Sequence, residues 1–175
     1  IGGPIKKDRL WFFFTARDHE RLIHRAKPGH DGATPSGNGV AARSLLRLAA
    51  LTGEERYRIA AGRTLELFHP AMSEQPGGFA SLHMALAEVL TPPTTVVIRG
   101  EGTPAQLWAG ELAREHLPHC LVVAIPAGVA GLPAILDKPR GKPPGNAWVC
   151  QGVTCLPPID DLAALALACK RVDIR

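Results

Sequence analysis

The 175-residue sequence contains few aromatic residues and no long hydrophobic run, and each absence excludes a class of protein. Aromatic residues make up 5% of the chain, and no basic stretch is interleaved with them, so the stacking platforms of single-strand nucleic-acid binders are missing. No window approaches the roughly 18 apolar residues that a membrane-spanning helix requires. The amino-terminal residues also lack the pattern of a secretory signal. We therefore expect neither a nucleic-acid partner nor a membrane partner.

Cysteine is scarce as well. The four cysteines, Cys120, Cys150, Cys155 and Cys169, are too few and too irregularly spaced for the disulfide framework of a secreted protein. On a single strand, the odd separation of Cys150 and Cys155 would place their side chains on opposite faces. The sequence therefore predicts reduced, buried thiols and a cytoplasmic location.

What the chain does contain is typical of an ordinary globular protein. Hydrophobic residues make up 46% and charged residues 21%, which is enough apolar material for one core or two small adjoining ones. The net charge is +4, but basic and acidic residues alternate along the whole length rather than gathering in one block. Because the first residue is not Met, we expect a fragment of a longer protein.

The first half shows a helical period. Apolar residues recur every third or fourth position, and this pattern predicts three helices joined by short loops, an arrangement typical of antiparallel hairpins. The first helix should close near Thr52. The second should open with a capping box formed by Thr52 and Glu55 and stop at His69–Pro70, because proline disfavours a helical residue before it. The third should run from near Phe79 to Leu90.

Beyond Pro93 the apolar spacing changes to unbroken β-branched runs. Thr94–Ile98 and Leu121–Ile125 are predicted strands, and the helix between them, from Thr103 to Pro118, completes a βαβ unit with parallel strands. A further strand is predicted at Trp148–Cys155, followed by a closing helix capped by Asp160. The predicted fold class is α plus α/β: antiparallel helical hairpins followed by a small, mainly parallel sheet with a crossover helix.

Loop-forming residues from Asp31 to Asn38 precede the first helix, and Ser36 or Asn38 is its expected N-cap. Four residues of proton-transfer or metal-binding type, His19, His24, His30 and Asp31, lie in or before this loop. Their spacing matches no metal motif, so no metal is expected, and solvated loop side chains remain the alternative interpretation. The loop lies at a helix N-terminus, where N–H groups and a positive dipole favour an anion or a sugar.

Several segments resemble one family. The resemblance begins with four segments of the amino-terminal third: Phe12–Ala16, Asp18–Glu20, Lys27–Asp31 and Ala33–Asn38. It continues, in the same order, with Leu45–Leu48, Leu51–Gly53, Val96–Ile98, Val149–Cys150 and Thr154–Cys155. In these segments the chain resembles the late part of the thioredoxin-domain-containing family that includes spermatogenesis-associated protein 20.

The resemblance implies a parent protein with an amino-terminal thioredoxin-like domain followed by an α/α toroid, similar to six-hairpin glycosidases and N-acylglucosamine 2-epimerases. This chain would hold only the last part of that toroid, so the thioredoxin-like domain and the remaining helices would be missing partners. The pocket of such a toroid lies at helix N-termini. The resemblance therefore points to Asp31 and His30 as catalytic residues and to Ser36, Asn38 and His24 as substrate-binding residues for a sugar ligand.

Catalysis by the isolated chain is not expected. Glycoside hydrolysis needs two flanking carboxyl groups, and epimerisation needs an acid and a base on opposite faces of the ring. Asp31 could supply one carboxyl group, but Glu54, Glu55 and Glu66 fall on capping or surface positions. No cofactor is expected either, because the glycine pattern from Gly100 to Ala105 lacks the acidic residue that a dinucleotide site places about 20 residues later.

The predicted organisation is an amino-terminal extension at residues 1–30, a helical-hairpin segment at 31–93 and an α/β segment at 94–175. Residues 2–13 look like a strand of TonB-dependent outer-membrane receptors, and residues 1–11 do not resemble the family, but the sequence after Phe14 lacks the alternation such strands need. Two functions remain open: a remnant of a carbohydrate-enzyme-like pocket, and a non-catalytic structural or interaction module attached to a redox domain.

Overall fold

A computed structural model describes residues 23–24, 26–100, 103–126, 128–139 and 145–170. The predicted aromatic strand at Phe12–Phe14, and the receptor-like residues before it, lie outside these ranges. The described chain forms two compact units. The first unit contains the residues up to Ala49 together with Glu54–Thr91, and the second contains Ala50–Gly53 together with the residues from Pro92 onward.

The first unit is helical. Helix α1 spans Gly37–Thr52, α2 spans Glu55–Glu74 and α3 spans Ala80–Leu90, with a short 3-10 turn at Pro76–Gly78 before α3. The apolar stripes of the three helices meet in one core whose buried members are Ala42, Leu45, Leu46, Ala60, Ala61, Leu65, Met72, Phe79, Leu82 and Ala85. The predicted start and end of α3 and the end of α1 are confirmed.

Two predictions about α2 are wrong. Glu54, rather than Thr52, is the N-cap residue, and its side chain makes no capping hydrogen bond. Pro70 lies inside the helix, which continues for another turn to Glu74. That turn persists because it buries Met72 in the core, and because the Ser73 hydroxyl donates to the His69 carbonyl oxygen at 2.9 Å. Tertiary packing therefore outweighs the backbone hydrogen bond that proline removes.

Helices α1 and α3 are linked by a shared carboxylate. Glu88 of α3 accepts from Arg43 Nε at 2.6 Å and from Arg47 Nη2 at 2.8 Å, and all three side chains are partly buried. Toward the other end, Gly39 of α1 lies against Ser81 of α3, since a Cβ added at Gly39 would be 2.0 Å from Ser81 Oγ. The two helices therefore run side by side in the same direction.

The second unit contains a four-stranded sheet in the order β2-β1-β3-β4, with β1 at Thr94–Gly100, β2 at Cys120–Pro126, β3 at Gly145–Gln151 and β4 at Thr154–Cys155. Helix α4 (Thr103–Ala113) connects β1 to β2, which pair in parallel as predicted. The other two pairings, β1 with β3 and β3 with β4, are antiparallel. The sheet is therefore mixed, and the prediction that it is mainly parallel is wrong, because β3 runs opposite to β1 and β4 returns along β3 through a tight turn.

One face of this sheet forms the second core. Val96, Ile98, Ala147 and Val149 pack with residues of α4 and of α5 (Leu162–Lys170). Helix α5 is capped by Asp161, whose carboxylate accepts from the Ala164 N–H at 2.7 Å, and not by the predicted Asp160. Within the described ranges, no helix has both the length and the apolar character needed to cross a bilayer.

The predicted state of Cys150 and Cys155 is also wrong. A turn at Gly152, with φ of 59°, separates β3 from β4, so the two cysteines face each other across the strand pair and form a disulfide. The prediction placed both residues on one strand, where an odd separation would have divided them between two faces. Cys120 and Cys169 are free thiols.

Candidate functional site

Asp31 lies where the N-termini of α1 and α3 meet. Its Oδ1 accepts from the Ser36 N–H at 2.7 Å and from the Ser81 hydroxyl at 2.5 Å, while its Oδ2 accepts from the Ser81 N–H at 2.7 Å. One carboxylate therefore binds two backbone donors and one hydroxyl. Free N–H groups and a positive dipole at each helix start favour a negative group there.

Two serines complete the arrangement. Ser36 is the N-cap of α1, because its Oγ accepts from the Gly39 N–H at 3.0 Å, which confirms the prediction for this residue. Its Oγ also lies 3.1 Å from Ser81 Oγ, and both residues are buried. The contact between the two hydroxyls thus joins the cap of one helix to the first turn of the other, and Asp31 accepts from the Ser36 N–H and from the Ser81 N–H and hydroxyl. We call Asp31, Ser36 and Ser81 the carboxylate–serine cluster.

The backbone around Asp31 packs against the turn that precedes α3. The Asp31 N–H donates to the Gly78 carbonyl oxygen at 2.7 Å, and the rings of His30 and Phe79 meet edge to face at 5.4 Å. A Cβ at Gly78 would be 2.3 Å from His30 Nε2, so a larger residue there would displace the imidazole. The loop before α1 is therefore fitted against the start of α3.

The remaining predicted site residues are dispersed. Asn38 is buried, and its Nδ2 donates to the Pro28 carbonyl oxygen at 2.8 Å, so this amide anchors the loop from within α1. His30 is adjacent to Asp31 but exposed. His24 is exposed in the short described stretch at 23–24 and has no contact with the cluster among the contacts of the described residues. The structure brings Asp31 and Ser36 together, as the loop pattern suggests, and adds Ser81.

Ionisation of Asp31 is favoured. Burial on its own would raise the pKa of this carboxyl group, but the hydrogen bonds from Ser81 and Ser36, together with the nearby His30, outweigh burial and hold the pKa below its ordinary value of 3.8. A carboxylate in this state is a weak base near neutral pH, because a general base works best when its pKa lies near the working pH. It is well suited to act as a fixed negative charge at two helix ends.

Two of the carboxylates predicted at capping or surface positions, Glu54 and Glu55, form ion pairs at the start of α2. Glu54 pairs with Arg56 at 2.5 Å, and Glu55 pairs with Arg58 one turn along the helix. In the part of the chain that the structure describes, no group of three or more His, Cys, Asp or Glu side chains could hold a metal ion. Among the described residues, the groups that act on the Asp31 carboxylate are Ser81, Ser36 and His30, and none of them is a second carboxylate.

Sequence reasoning did not find Ser81. It lies 50 residues from Asp31 on the second position of α3, where serine has no distinctive local signal. The structure shows why small residues are needed around it: a Cβ added at Gly39 would overlap the Ser81 side chain, and one added at Gly78 would overlap the His30 ring.

Comparisons with known protein families, with curated proteins and with solved structures found no match to this chain.

Proposed function

We propose that this chain is a non-catalytic structural module in which Asp31 serves as an internal anion that joins two helix starts. The observation that carries the proposal is that both oxygens of the Asp31 carboxylate accept hydrogen bonds, three in all, from Ser36 and Ser81. A carboxylate that accepts three hydrogen bonds and has a lowered pKa occupies the position that an anionic or sugar ligand would otherwise take. This favours a structural role over proton transfer.

The resemblance to the thioredoxin-domain-containing family supplies the proposed context. In that context the module would belong to a carbohydrate-enzyme-like toroid, would adjoin a thioredoxin-like redox domain and would act in the cytoplasm. The Cys150–Cys155 disulfide bears on the last point, because disulfides persist mainly in oxidising compartments and are rare in cytosolic proteins outside redox chemistry. A cytoplasmic setting therefore requires that this pair be maintained by, or exchanged with, a redox partner.

The enzymatic hypothesis assigns catalysis to Asp31 and His30. It assigns sugar binding to Ser36, Asn38 and His24, and it has a different structural requirement. A sugar would have to compete with Ser36 and Ser81 for Asp31, so binding would break existing hydrogen bonds. In a structural module, the carboxylate–serine cluster stays intact whether or not sugar is present.

Thermal unfolding of the chain in the presence of N-acetylglucosamine and N-acetylmannosamine separates the two functions. A structural module predicts no concentration-dependent rise in Tm, since only a ligand that binds the folded state stabilises it. A saturable rise that disappears in Asp31→Asn, while Asp137→Asn keeps it, would instead establish a sugar site. Asp137 is a matched control because it is an exposed carboxylate in the second unit.

A further inference from the structure

Arg99 is a buried cation near the carboxyl end of the central strand β1. The residue is 5% exposed, and the strand register places it opposite Ile125 on β2 and Asn146 on β3. Because side chains alternate along a strand, Arg99 lies on the face opposite Val96 and Ile98, which pack in the core beside α4 and α5. The guanidinium therefore lies on the other side of the sheet from the helices of this unit.

Two nitrogens of this guanidinium lack acceptors in the part of the chain that the structure describes. Nε and Nη1 of Arg99 are buried and have no hydrogen-bond partner among the described residues. Across the strand pair, the Asn146 amide nitrogen is a donor, to the Pro139 carbonyl oxygen at 3.4 Å. An arginine side chain stays charged in proteins, and a buried charge is stable only when it is paired. The arrangement thus calls for an acceptor that carries negative charge.

The geometry of arginine restricts what that acceptor is. Nε–H shares one edge of the guanidinium with Nη2, and Nη1 shares another edge with Nη2, so an oxyanion on either edge would bind two N–H groups in a planar fork, one of them an unpartnered donor. The location is also informative, because open α/β sheets bind ligands just beyond the carboxyl ends of their parallel strands. Arg99 lies one residue before the end of β1, which pairs in parallel with β2, and α4 begins three residues after that end.

We propose that Arg99 forms an oxyanion-binding site at the carboxyl edge of the sheet, taking the phosphate or carboxylate group of a small ligand. The site belongs to the second unit and shares no residue with the carboxylate–serine cluster. It therefore does not depend on the role proposed for Asp31, and a structural module can carry it.

The site is tested on the full chain with inorganic phosphate and, in a separate arm, with acetate, both against sodium chloride at equal ionic strength. Thermal unfolding and the ³¹P line width of phosphate are the measurements. The variants are Arg99→Gln, which removes the charge, Arg99→Lys, which keeps the charge but loses the fork, and Arg63→Gln as a control. Arg63 is exposed on α2, and its substitution changes the net charge by the same amount as Arg99→Gln.

We expect at least one oxyanion to raise Tm and, for phosphate, to broaden the ³¹P line with the wild type and with Arg63→Gln. Loss of the charge-assisted fork should weaken binding by about tenfold or more in Arg99→Gln and by a smaller factor in Arg99→Lys. The ratio of the phosphate and acetate affinities identifies the preferred group. The proposal is overturned if neither anion raises Tm more than chloride does and phosphate shows no line broadening. That result is expected if a carboxylate of the chain itself pairs with Arg99. The proposal is equally overturned if Arg99→Lys and the wild type respond alike. Should Arg99→Gln fail to fold, the Arg99→Lys comparison and the wild-type titration still decide the matter.

Discussion

Ser81 holds both carboxylate oxygens of Asp31, although 50 residues separate the two in the chain. Its hydroxyl donates to Oδ1 at 2.5 Å and its N–H donates to Oδ2 at 2.7 Å. Ser36 adds a third donor from the start of α1. The loop before α1 is thereby joined to α3 through one acidic side chain.

Substitution of Asp31 should destabilise the chain. Asp31→Ala removes three accepted hydrogen bonds and leaves two N–H groups at helix starts without their acceptor, so we expect a loss of about 2 kcal/mol, and about 1 kcal/mol for Asp31→Asn, which keeps one acceptor oxygen. Chemical denaturation followed by far-UV circular dichroism measures the difference. The exposed Asp137→Ala should change stability by less than about 0.5 kcal/mol. Equal effects at the two positions would contradict a capping role for Asp31.

Close packing of α1 against α3 leads to opposite outcomes at two helical glycines. A Cβ at Gly39 would lie 2.0 Å from Ser81 Oγ and 3.0 Å from the Ser81 carbonyl carbon, whereas a Cβ at Gly62 on α2 would meet nothing within 4 Å. Alanine is the better helix former by about 1 kcal/mol, so Gly62→Ala should stabilise the chain. In Gly39→Ala the overlap should reverse this gain and give a net loss of about 1–2 kcal/mol. Stabilisation by both substitutions would show that the two helices are not in contact at Gly39.

The sequence predicts an interaction best when the interacting residues lie close together along the chain. Ser36 was a predicted cap because an N-cap acts within three residues, and the βαβ unit was predicted because β1, α4 and β2 follow one another in the chain. The predicted end of α2 at Pro70 is wrong because a rule based on neighbouring residues takes no account of the burial of Met72. The Asp31–Ser81 pair was missed for the same reason, because it depends on which segments meet in space. The Cys150–Cys155 disulfide was missed for a local reason: the turn at Gly152 divides the segment that was predicted as one strand.

The two free thiols should differ in reactivity. A hydrogen bond from Cys169 lowers the pKa of the Cys120 thiol to about 7, with burial opposing this change and His119 adding a smaller electrostatic contribution in its favour. The same contact, together with burial, raises the pKa of Cys169. Alkylation of Cys120 by iodoacetamide, followed by peptide mass spectrometry, should therefore rise with a midpoint near pH 7.

Removal of the hydrogen-bond donor provides the control for this prediction. In Cys169→Ala the midpoint for Cys120 should move up toward the ordinary thiol value of 9.0. If the wild type already titrates near 9.0, or if Cys169→Ala leaves the midpoint unchanged, Cys169 does not stabilise the Cys120 thiolate.

The Cys150–Cys155 disulfide should contribute measurably to stability. It closes a short loop, for which the chain-entropy treatment gives about 2 kcal/mol, so dithiothreitol should lower the wild-type midpoint of denaturation. The double variant Cys150→Ala/Cys155→Ala should start at the lower midpoint and show no further response to the reductant. Titration of thiols in the unfolded, unreduced protein should count two, Cys120 and Cys169, and a count of four would show that the disulfide is absent.

The ionisation of Asp31 most directly tests its assignment as an internal anion. A folded-state pKa below the unfolded value means that Asp31 contributes stability above the unfolded pKa and loses it as the pH falls through the folded one. A ¹³C NMR titration of the Asp31 carboxyl carbon should therefore give a midpoint below 3.8, and Ser81→Ala should raise it by removing the hydroxyl donor. A midpoint above 3.8 in the wild type, moving toward neutral pH as a proton-transfer residue requires, would contradict the structural role.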